Sequence, residues 1–385
     1  MFTRVLQKKI LSGKKSVLLL GPRQCGKSTL MKSCSPELSI NLARESEFLQ
    51  FSSNPDEFED RIRRSRPKSV LIDEVQRLPS LLNTVQAILD DDPRAPKFYL
   101  TGSSARKLRR GQANLLPGRV HSYRIGPLTW QEFGAERFSI DELLSTGTLP
   151  GILNEQERSE RIKTLRDYAG TYLREEIQAE ALARDIEGFS RFLKVCAAWT
   201  GQFIDLTKIS SESQVKRLTA MRYLDILEDT LVVERVGAFS KTSGRRLVQH
   251  PKLYFFDVGV WNGLIGNFEV TADRIGLLFE HFMYNQISAA AKAFDLDLRI
   301  STFRTEHGAE VDFIIEHSGR IFALELKASK NVGPSDLLGF ESFKSVCKKK
   351  FTPIVATLGS HAKVVGGVPV LPWNEALSEL GLKSS

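Results

Sequence analysis

A glycine-rich stretch near the start of the chain carries the residue types that bind a nucleoside triphosphate. Residues 21–28 have the spacing G-x-x-x-x-G-K-S and follow a short apolar run, residues 17–20. Glycine permits the backbone conformations that turn N–H groups towards phosphates, and Lys27 can reach the β- and γ-phosphates. We therefore expect ATP to bind here. The expected contacts are Gly21, Pro22, Arg23, Gln24, Cys25, Gly26, Lys27, Ser28 and Thr29.

A second apolar run, residues 69–74, reads SVLIDE and ends in two carboxylates. An acidic residue at the end of a strand in a nucleotide site can hold hydrated Mg²⁺, which suits Asp73 together with the Ser28 hydroxyl. Its neighbour Glu74 can orient and deprotonate the water that attacks the γ-phosphate. An alternative is that Asp-Glu only marks a strand end. The phosphate loop one strand–helix unit earlier favours Mg²⁺ binding and hydrolysis.

Two further residues are candidates for a role in hydrolysis. Ser103 could reach between the γ-phosphate and the attacking water, with Thr101 behind it, although a polar strand end explains it equally well. Arg119 is a candidate arginine finger that acts on a neighbouring subunit, which implies a homo-oligomer. Most arginines of its cluster are expected to be solvated. The cluster consists of Arg106, Arg109, Arg110, Arg119 and Arg124.

The C-terminal part contains two alternating runs about a Ser-Gly turn at residues 318–319, which predicts a β-hairpin. If His317 faces Arg320, the register places Asp312 directly across from Glu325, with Cβ atoms about 5 Å apart. Two carboxylates held this close repel each other and require a cation.

Lys327 follows Glu325 by two positions, so the two side chains point to the same face of the strand. Asp312, Glu325 and Lys327 could together bind Mg²⁺, activate water and stabilise a pentacovalent phosphate. Glu280, on a helix predicted over residues 272–294, could add a metal ligand. The alternative is a charged, solvent-exposed face of the hairpin.

Residues 203–236 show a short helix, a polar turn, a longer helix and a β-branched run, which is the order of a winged helix-turn-helix. Its expected buried side is Val215, Leu218, Met221, Tyr223, Leu224 and Leu227. Its cations could face DNA, and they are Lys208, Lys216, Arg217, Arg222 and, in the wing, Lys241, Arg245 and Arg246. A winged helix that serves only packing between domains is an equally good alternative.

The elements that position these residues alternate between strand and helix up to about residue 124. This alternation predicts an α/β fold, in which a parallel sheet with flanking helices carries the nucleotide at the carboxyl ends of its strands. A single connecting helix is expected over residues 48–64, and residues 159–199 have helical spacing throughout.

Composition limits the class of protein. The chain has 385 residues, of which 42% are hydrophobic and 26% charged, so we expect two or three folded domains. A net charge of +8 suits a polyanionic partner such as DNA. The four cysteines lack metal-site spacing and are expected to be reduced thiols. No signal peptide or membrane span is evident, so we expect a cytoplasmic protein that does not bind membranes.

The order of these motifs resembles a family of prokaryotic AAA-type P-loop ATPases that carry a C-terminal domain of unknown function. The resemblance covers essentially the whole chain and rests on GPRQCGKST, SVLIDEVQRLP, FYLTGSS, LLPGR, PKLYFFDVG and EVDFII…ALELK. It implies an AAA-like core, a winged helix and a C-terminal α/β domain similar to PD-(D/E)XK nucleases. The matching positions of that nuclease superfamily are Asp312, Glu325 and Lys327, with Glu280 as the helix acid. One departure is the sequence GTLP at residues 147–150, where relatives usually have a second glycine.

The expected domains are an AAA-like ATPase domain (1–155), a helical lid or linker (156–200), a winged helix-turn-helix (201–260) and a PD-(D/E)XK nuclease-like domain (261–385). We expect an ATPase, associated with DNA, whose nucleotide state controls the nuclease-like domain. One alternative is a Mg²⁺-dependent DNA endonuclease gated by ATP. Another is a non-cleaving switch, in which ATP drives signalling or oligomerisation.

Overall fold

The computed structural model describes residues 2–103, 116–172, 185–239, 248–329 and 331–383. The chain divides into two compact units, one spanning 1–126 with 229–232 and the other 127–228 with 233–385. The first division falls after Gly126 and thus earlier than the boundary expected at residue 155. The finer domain boundaries stay predictions.

The first unit is built on a five-stranded sheet in which all neighbouring strands are parallel, in the order β2-β3-β4-β1-β5. The strands are β1 (Ser16–Leu20), β2 (Leu38–Asn41), β3 (Ser69–Asp73), β4 (Lys97–Gly102) and β5 (Val120–Arg124). The central strands β1, β3 and β4 are apolar runs that are buried on both faces. The prediction of a parallel sheet with flanking helices is confirmed.

The helices of this unit are α1 (Leu6–Ser12), α2 (Lys27–Lys32), α3 (Glu45–Ser53), α4 (Asp56–Ser65) and α5 (Leu81–Asp91). Helix α1 precedes β1, and the other described helices connect consecutive strands. The single helix expected over residues 48–64 is wrong, because the chain forms two helices separated at Asn54 and Pro55. Proline lacks an N–H donor and disfavours a helical conformation of the residue before it, so α3 ends there and α4 begins anew.

After Gly126 the chain is first helical. The helices are α6 (Trp130–Phe133), α7 (Ile140–Thr146), α8 (Pro150–Asn154), α9 (Arg158–Asp167), a π-helical turn (Tyr168–Tyr172) and α10 (Ile186–Ala198). The GTLP sequence spans the loop between α7 and α8 and the first residue of α8. It contacts the residue before α13 (Val258–Ile265). Asp257 caps α13 by accepting hydrogen bonds from Gly259 N–H (2.9 Å) and Val260 N–H (3.1 Å). Its other carboxylate oxygen accepts from Thr148 N–H at 2.8 Å, so GTLP has a structural role within the second unit.

Within residues 206–239 and 248–255, two helices are followed by a small antiparallel sheet. The elements are α11 (Leu206–Glu212), α12 (Arg217–Asp229), β6 (Val233–Val236) and β7 (Lys252–Phe255). The buried side of α12 consists of Ala220, Tyr223, Leu224, Ile226 and Leu227. The prediction was wrong for Leu218 and Met221, which are 71% and 45% exposed because they lie outside the stripe that these residues form. The expected wing cations Lys241, Arg245 and Arg246 lie outside the described residues.

The C-terminal part is a six-stranded mixed sheet in the order β12-β13-β11-β10-β9-β8. Its strands are β8 (Leu298–Arg304), β9 (Glu310–His317), β10 (Arg320–Lys327), β11 (Thr352–Thr357), β12 (Lys363–Val365) and β13 (Val368–Pro372). The helices are α14 (Ile275–Phe294), α15 (Leu338–Lys344) and α16 (Trp373–Glu379). The hairpin register is as predicted, since His317 pairs with Arg320 and Phe313 with Leu324.

No helix within the described ranges combines the length and apolar character that crossing a bilayer demands. All four cysteines lie in described ranges, where they are buried and form no disulfide, consistent with the expected thiols.

Candidate functional site

The phosphate loop lies between β1 and α2, and its backbone explains its glycines. Gly26 has φ +83°, a left-handed conformation that glycine adopts without strain. A Cβ on Gly21 would lie 2.4 Å from the carbonyl oxygen of Ile125, so only glycine fits where β1 ends. Gln24 also adopts positive φ, at +61°. The predicted contact residues form the turn that follows β1 and the first residues of α2, at the carboxyl end of a central strand.

The side chain of Lys27 is hydrogen-bonded to the backbone of the phosphate loop. Its side chain is buried, and Nζ donates hydrogen bonds to the carbonyl oxygens of Gly21 and Pro22, both at 2.9 Å. A buried ammonium has to be paired with acceptors, and loop carbonyls are weak partners compared with an anion. Lys27 is therefore placed to exchange these carbonyls for phosphate oxygens.

Ser28 and Asp73 meet as the sequence predicts. The Ser28 hydroxyl donates to Asp73 Oδ1 at 2.7 Å, and the Thr101 hydroxyl donates to the same oxygen. Mg²⁺ prefers hard oxygen ligands, and a hydroxyl and a carboxylate beside a phosphate loop supply them. The residues present therefore fit a magnesium ion, which Ser28 and Asp73 would hold.

Glu74 and Ser103 are joined by a residue that the sequence analysis did not single out. Gln76 Nε2 donates hydrogen bonds to Glu74 Oε2 and to Ser103 Oγ, the latter at 3.0 Å. Glu74 has a left-handed backbone with φ +60°, and its N–H donates to Thr101 Oγ1 at 3.1 Å. The structure thus brings the predicted base and the predicted Ser103 together. The only signal for Gln76 is its place two residues after Glu74 in the run DEVQ.

Arg119 lies just before β5 and is paired within its own chain. It forms an ion pair with Asp90, and both side chains are about one-third exposed (36% and 37%). Arg124, at the end of β5, is exposed. The other predicted arginines of this cluster, Arg106, Arg109 and Arg110, lie outside the described residues. The role of Arg119 as a finger stays a prediction.

A polar cavity of about 510 Å³ lies beside the C-terminal hairpin in the second unit. Three of the four predicted residues line it, namely Glu280, Asp312 and Glu325. The remaining lining residues are Gly201, Gln202, Phe203, Lys252, Arg304 and Glu310. The cavity therefore collects four carboxylates and two cations, and it is not a flat solvent-exposed face.

Asp312 is the most perturbed acid of this cavity. Its Oδ2 accepts a hydrogen bond from Leu326 N–H at 2.8 Å. Burial raises the pKa of Asp312 well above its ordinary value, and the carboxylates of Glu325 and Glu280 raise it further. Burial also raises the pKa of Glu325, while the ammonium of Lys327 opposes that rise. These carboxylates are close enough to interact, as the hairpin register predicts.

Lys327 pairs with two acids and does not line the cavity. Its Nζ lies 2.9 Å from Glu325 Oε1 and 3.5 Å from Asp336 Oδ1. Burial lowers the pKa of Lys327, but these two carboxylates outweigh burial and the net shift is upward. The predicted adjacency of Glu325 and Lys327 is present in the structure.

Lys252 is the cavity residue that sequence reasoning missed. Its Nζ lies 2.9 Å from Glu280 Oε1 and 2.9 Å from Glu310 Oε1, and its side chain is only 5% exposed. Burial opposes the charged form, yet Glu280, Asp312 and Glu310 together raise the pKa of Lys252. Tyr254 also donates a hydrogen bond to Glu280. Lys252 lies in the segment PKLYFFDVG, far in sequence from the hairpin, so only the fold reveals its role.

Three of the four carboxylates of this cavity pair with lysines of the chain itself. Lys252 contacts Oε1 of Glu280 and of Glu310, and Lys327 contacts Oε1 of Glu325. Across the described ranges, no group of three or more His, Cys, Asp or Glu side chains is arranged to hold a metal ion. The metal role of Glu280, Asp312 and Glu325 stays a prediction.

Comparisons with known proteins divide the chain into three parts. Residues 13–134 match the family model described as an AAA domain. Residues 137–271 and 275–376 match two models that are each described as a domain of unknown function. The first match contains the phosphate loop, Asp73, Glu74 and Ser103.

Two bacterial proteins are similar in sequence to most of this chain. An uncharacterized protein of Mycobacterium tuberculosis is 27% identical over 326 residues, which are 81% of this chain and 70% of the relative. An uncharacterized protein of Haemophilus influenzae is 24% identical over 281 residues, 65% of this chain and 69% of that protein.

A solved structure of the replication initiator DnaA bound to AMPPCP and single-stranded DNA is 12% identical, with a TM-score of 0.26. The alignment of the two structures covers 58% of this chain and 86% of the DnaA chain. A TM-score of this size does not establish a common overall fold. The family models and the parallel sheet, with its phosphate loop, Ser28 and Asp73, lead to the assignment. The chain combines an AAA-type P-loop ATPase domain with a C-terminal domain of unknown function.

Proposed function

We propose that this chain binds and hydrolyses ATP, associates with DNA, and uses its nucleotide state to control the nuclease-like C-terminal domain. The observation that carries the ATPase part is the contact of Ser28 with Asp73 at 2.7 Å, next to the cluster of Glu74, Gln76 and Ser103. A hydroxyl, two acids and a buried lysine around one glycine loop are the groups that phosphoryl transfer to water requires.

Each residue of this site has a separate task. Lys27 binds the β- and γ-phosphates, and Ser28 with Asp73 would hold Mg²⁺, which would neutralise charge on the phosphates. Glu74 accepts a proton from the attacking water. The Thr101 hydroxyl, which donates to Asp73, keeps that carboxylate turned towards Ser28.

The ATPase is tested by steady-state hydrolysis with Lys27→Ala and a matched control. Lys32 is exposed on the same short helix, so Lys32→Ala removes the same residue type outside the loop. We expect Lys27→Ala to lower turnover at least about 100-fold and Lys32→Ala to leave it unchanged. Wild-type turnover in Lys27→Ala would contradict the proposal.

Association with DNA is supported by charge and exposure. The net charge is +8, and α11, α12 and the turn between them expose four cations, Lys208, Lys216, Arg217 and Arg222. Phosphate contacts by such residues make binding strongly dependent on salt. We expect Arg217→Glu/Arg222→Glu to weaken binding of a labelled duplex and to flatten its salt dependence. Lys163→Glu/Lys194→Glu, which reverses charge on two other exposed helical positions, should bind like wild type. Equal loss in both double variants would mean that no defined surface binds DNA.

The second candidate function is DNA cleavage by the C-terminal domain. It is favoured by the hairpin register, which brings Asp312 near Glu325, and by the 2.9 Å contact of Lys327 with Glu325. Supercoiled plasmid is incubated with protein, Mg²⁺ and ATP, with Asp312→Ala as the test and the exposed Asp297→Ala as the control.

A nuclease is supported if wild type and Asp297→Ala cleave the plasmid and Asp312→Ala does not. Gating by ATP is supported if cleavage by wild type stops when ATP is omitted. No cleavage by wild type, combined with an ATP-dependent increase of particle size in light scattering, supports the non-cleaving switch. The contacts of Lys252 with Glu280 and Glu310 favour this second outcome, because they compensate carboxylate charge without a metal ion.

A further inference from the structure

Gln76 connects the two groups that surround the site of water attack. It lies in the short turn after β3 and is 5% exposed. A carboxylate can only accept hydrogen bonds, so the contact with Glu74 requires the amide nitrogen on that side. The same nitrogen donates to Ser103 Oγ at 3.0 Å. Both hydrogens of the amide are therefore used, and the orientation of the amide is fixed.

The other end of the Gln76 amide has an unused capacity. Oε1 is buried and accepts no hydrogen bond from any residue within the described ranges. Leaving a buried carbonyl oxygen without a donor costs about 1–3 kcal/mol. An acceptor of this kind beside a general base indicates a donor that arrives with the substrate.

We propose that Gln76 orients the attacking water of ATP hydrolysis through Oε1 and positions Glu74 through Nε2. This inference rests on the proposed ATPase function. In the step, the water oxygen bonds to the γ-phosphorus, and the bond from that phosphorus to the β–γ bridging oxygen breaks. ADP leaves with the electron pair, and the water proton passes to the Glu74 carboxylate. Gln76 accepts a hydrogen bond from the other water hydrogen, so the lone pair faces phosphorus.

The geometry explains why a glutamine is needed at this position. Its nitrogen satisfies Glu74 and Ser103, which accept hydrogen bonds, while its oxygen satisfies a water, which donates. A glutamate would repel Glu74, and an alanine would leave Glu74 free to turn away. Neither substitution touches Lys27 or Ser28, so ATP binding should persist.

The test compares turnover with ATP affinity in Gln76→Ala. We expect kcat to fall about 10- to 100-fold, with KM and the affinity for a fluorescent ATP analogue within about twofold of wild type. Gln50→Ala is the matched control, because Gln50 donates to Glu57 at 3.3 Å on an exposed surface. It should retain wild-type turnover and affinity.

A second variant separates positioning from folding. Gln76→Glu keeps the length of the side chain but replaces the amide N–H donor with a carboxylate oxygen, which cannot donate to Glu74 or Ser103. We expect kcat to fall at least as far as in Gln76→Ala while the affinity for the ATP analogue is retained, whereas a merely structural role would lower both.

The outcomes distinguish this inference from the function on which it rests. Wild-type hydrolysis with an unchanged kcat in Gln76→Ala overturns the role of Gln76 and leaves the ATPase intact. A parallel loss of kcat and of nucleotide affinity also overturns it, because that pattern marks a damaged fold. Absence of hydrolysis by wild type overturns the ATPase itself, and the role of Gln76 with it.

Discussion

The ammonium group of Lys252 lies 2.9 Å from a carboxylate oxygen of Glu280, in the cavity beside the C-terminal hairpin. The same ammonium contacts Glu310 at 2.9 Å, so one lysine bridges a strand and a helix. Four acids line this cavity, and such a group is stable only when cations neutralise it. Lys252 therefore replaces, within the chain itself, part of the charge that a bound cation would supply.

Lys252→Met should destabilise the protein strongly. The substitution keeps the apolar stem but leaves the half-buried Glu280 and Glu310 without their cation, which costs up to about 3–5 kcal/mol. Urea unfolding at pH 7 measures the loss. Lys344→Met, at an exposed lysine of α15, serves as control and should stay within about 0.5 kcal/mol of wild type.

The double variant Lys252→Met/Glu280→Gln should recover part of the stability that Lys252→Met loses. Removing the charge of Glu280 relieves the repulsion that the first substitution creates. Strictly additive losses in the two variants would show that the two residues do not interact in solution.

The hairpin illustrates what the sequence could predict. Side chains alternate along a strand and the Ser318-Gly319 turn is short, so the pairing of His317 with Arg320 follows from local sequence. The parallel sheet can also be predicted from the sequence, since the apolar runs alternate with segments of helical spacing. The break at Pro55 was also readable, because the effect of proline on the preceding residue is local.

Lys252 and Gln76 could not be predicted in this way. Lys252 contacts Glu280 and Glu310, which lie 28 and 58 residues later in the sequence. Such contacts depend on how the chain folds back, which no spacing rule contains. Leu218 and Met221 were misassigned for a different reason. Helical spacing defines a stripe, but its phase is set by the neighbours against which the helix packs.

Gly147→Ala should destabilise the second unit. A Cβ on Gly147 would lie 2.1 Å from Asp257 Oδ1, and the backbone has φ +69°, where alanine is strained by about 1–2 kcal/mol. The clash also displaces the cap of α13. Gly151→Ala is the control, because a Cβ there meets nothing within 4 Å and α8 gains a better helix former.

Thermal unfolding of these two variants gives the comparison. The midpoint should fall for Gly147→Ala by several degrees and should stay equal or rise for Gly151→Ala. Equal midpoints would show that the GTLP loop does not hold Asp257 in solution.

Asp257 should make stability depend on pH between about 4 and 6. Burial raises the pKa of Asp257 from 3.8 to about 6. The folded chain therefore retains this proton at pH values where the unfolded chain has released it. The contribution of this group to the free energy of unfolding is present in full below pH 3.8 and is lost as the pH rises to about 6. Between these two values the free energy of unfolding falls on the order of 1 kcal/mol per pH unit.

Asp257→Asn isolates this contribution. Asparagine can still cap α13 but presents an N–H donor to Thr148, which lowers stability by a constant amount of about 1–3 kcal/mol. The gap in unfolding free energy between wild type and variant should be widest near pH 4 and narrow towards pH 7. A gap that does not change with pH would contradict the raised pKa of Asp257.

Arg119 can be tested as an arginine finger by mixing two inactive variants. Arg119→Ala should lower kcat by about 1,000-fold if the residue stabilises charge on the transferred phosphate, whereas Arg124→Ala should have little effect. Lys27→Ala removes the nucleotide site of its own subunit but keeps Arg119.

If the finger acts on a neighbouring subunit, a mixture of Arg119→Ala and Lys27→Ala regains hydrolysis. Intact sites of the first variant then receive Arg119 from the second. Before ATP is added, the two proteins are incubated together so that subunits exchange, and phosphate release is followed over a range of mixing ratios. Activity that peaks at intermediate ratios requires an oligomer with shared sites. Activity that never exceeds the sum of the two variants would contradict a finger that acts on a neighbouring subunit, in keeping with the ion pair of Arg119 and Asp90 within its own chain.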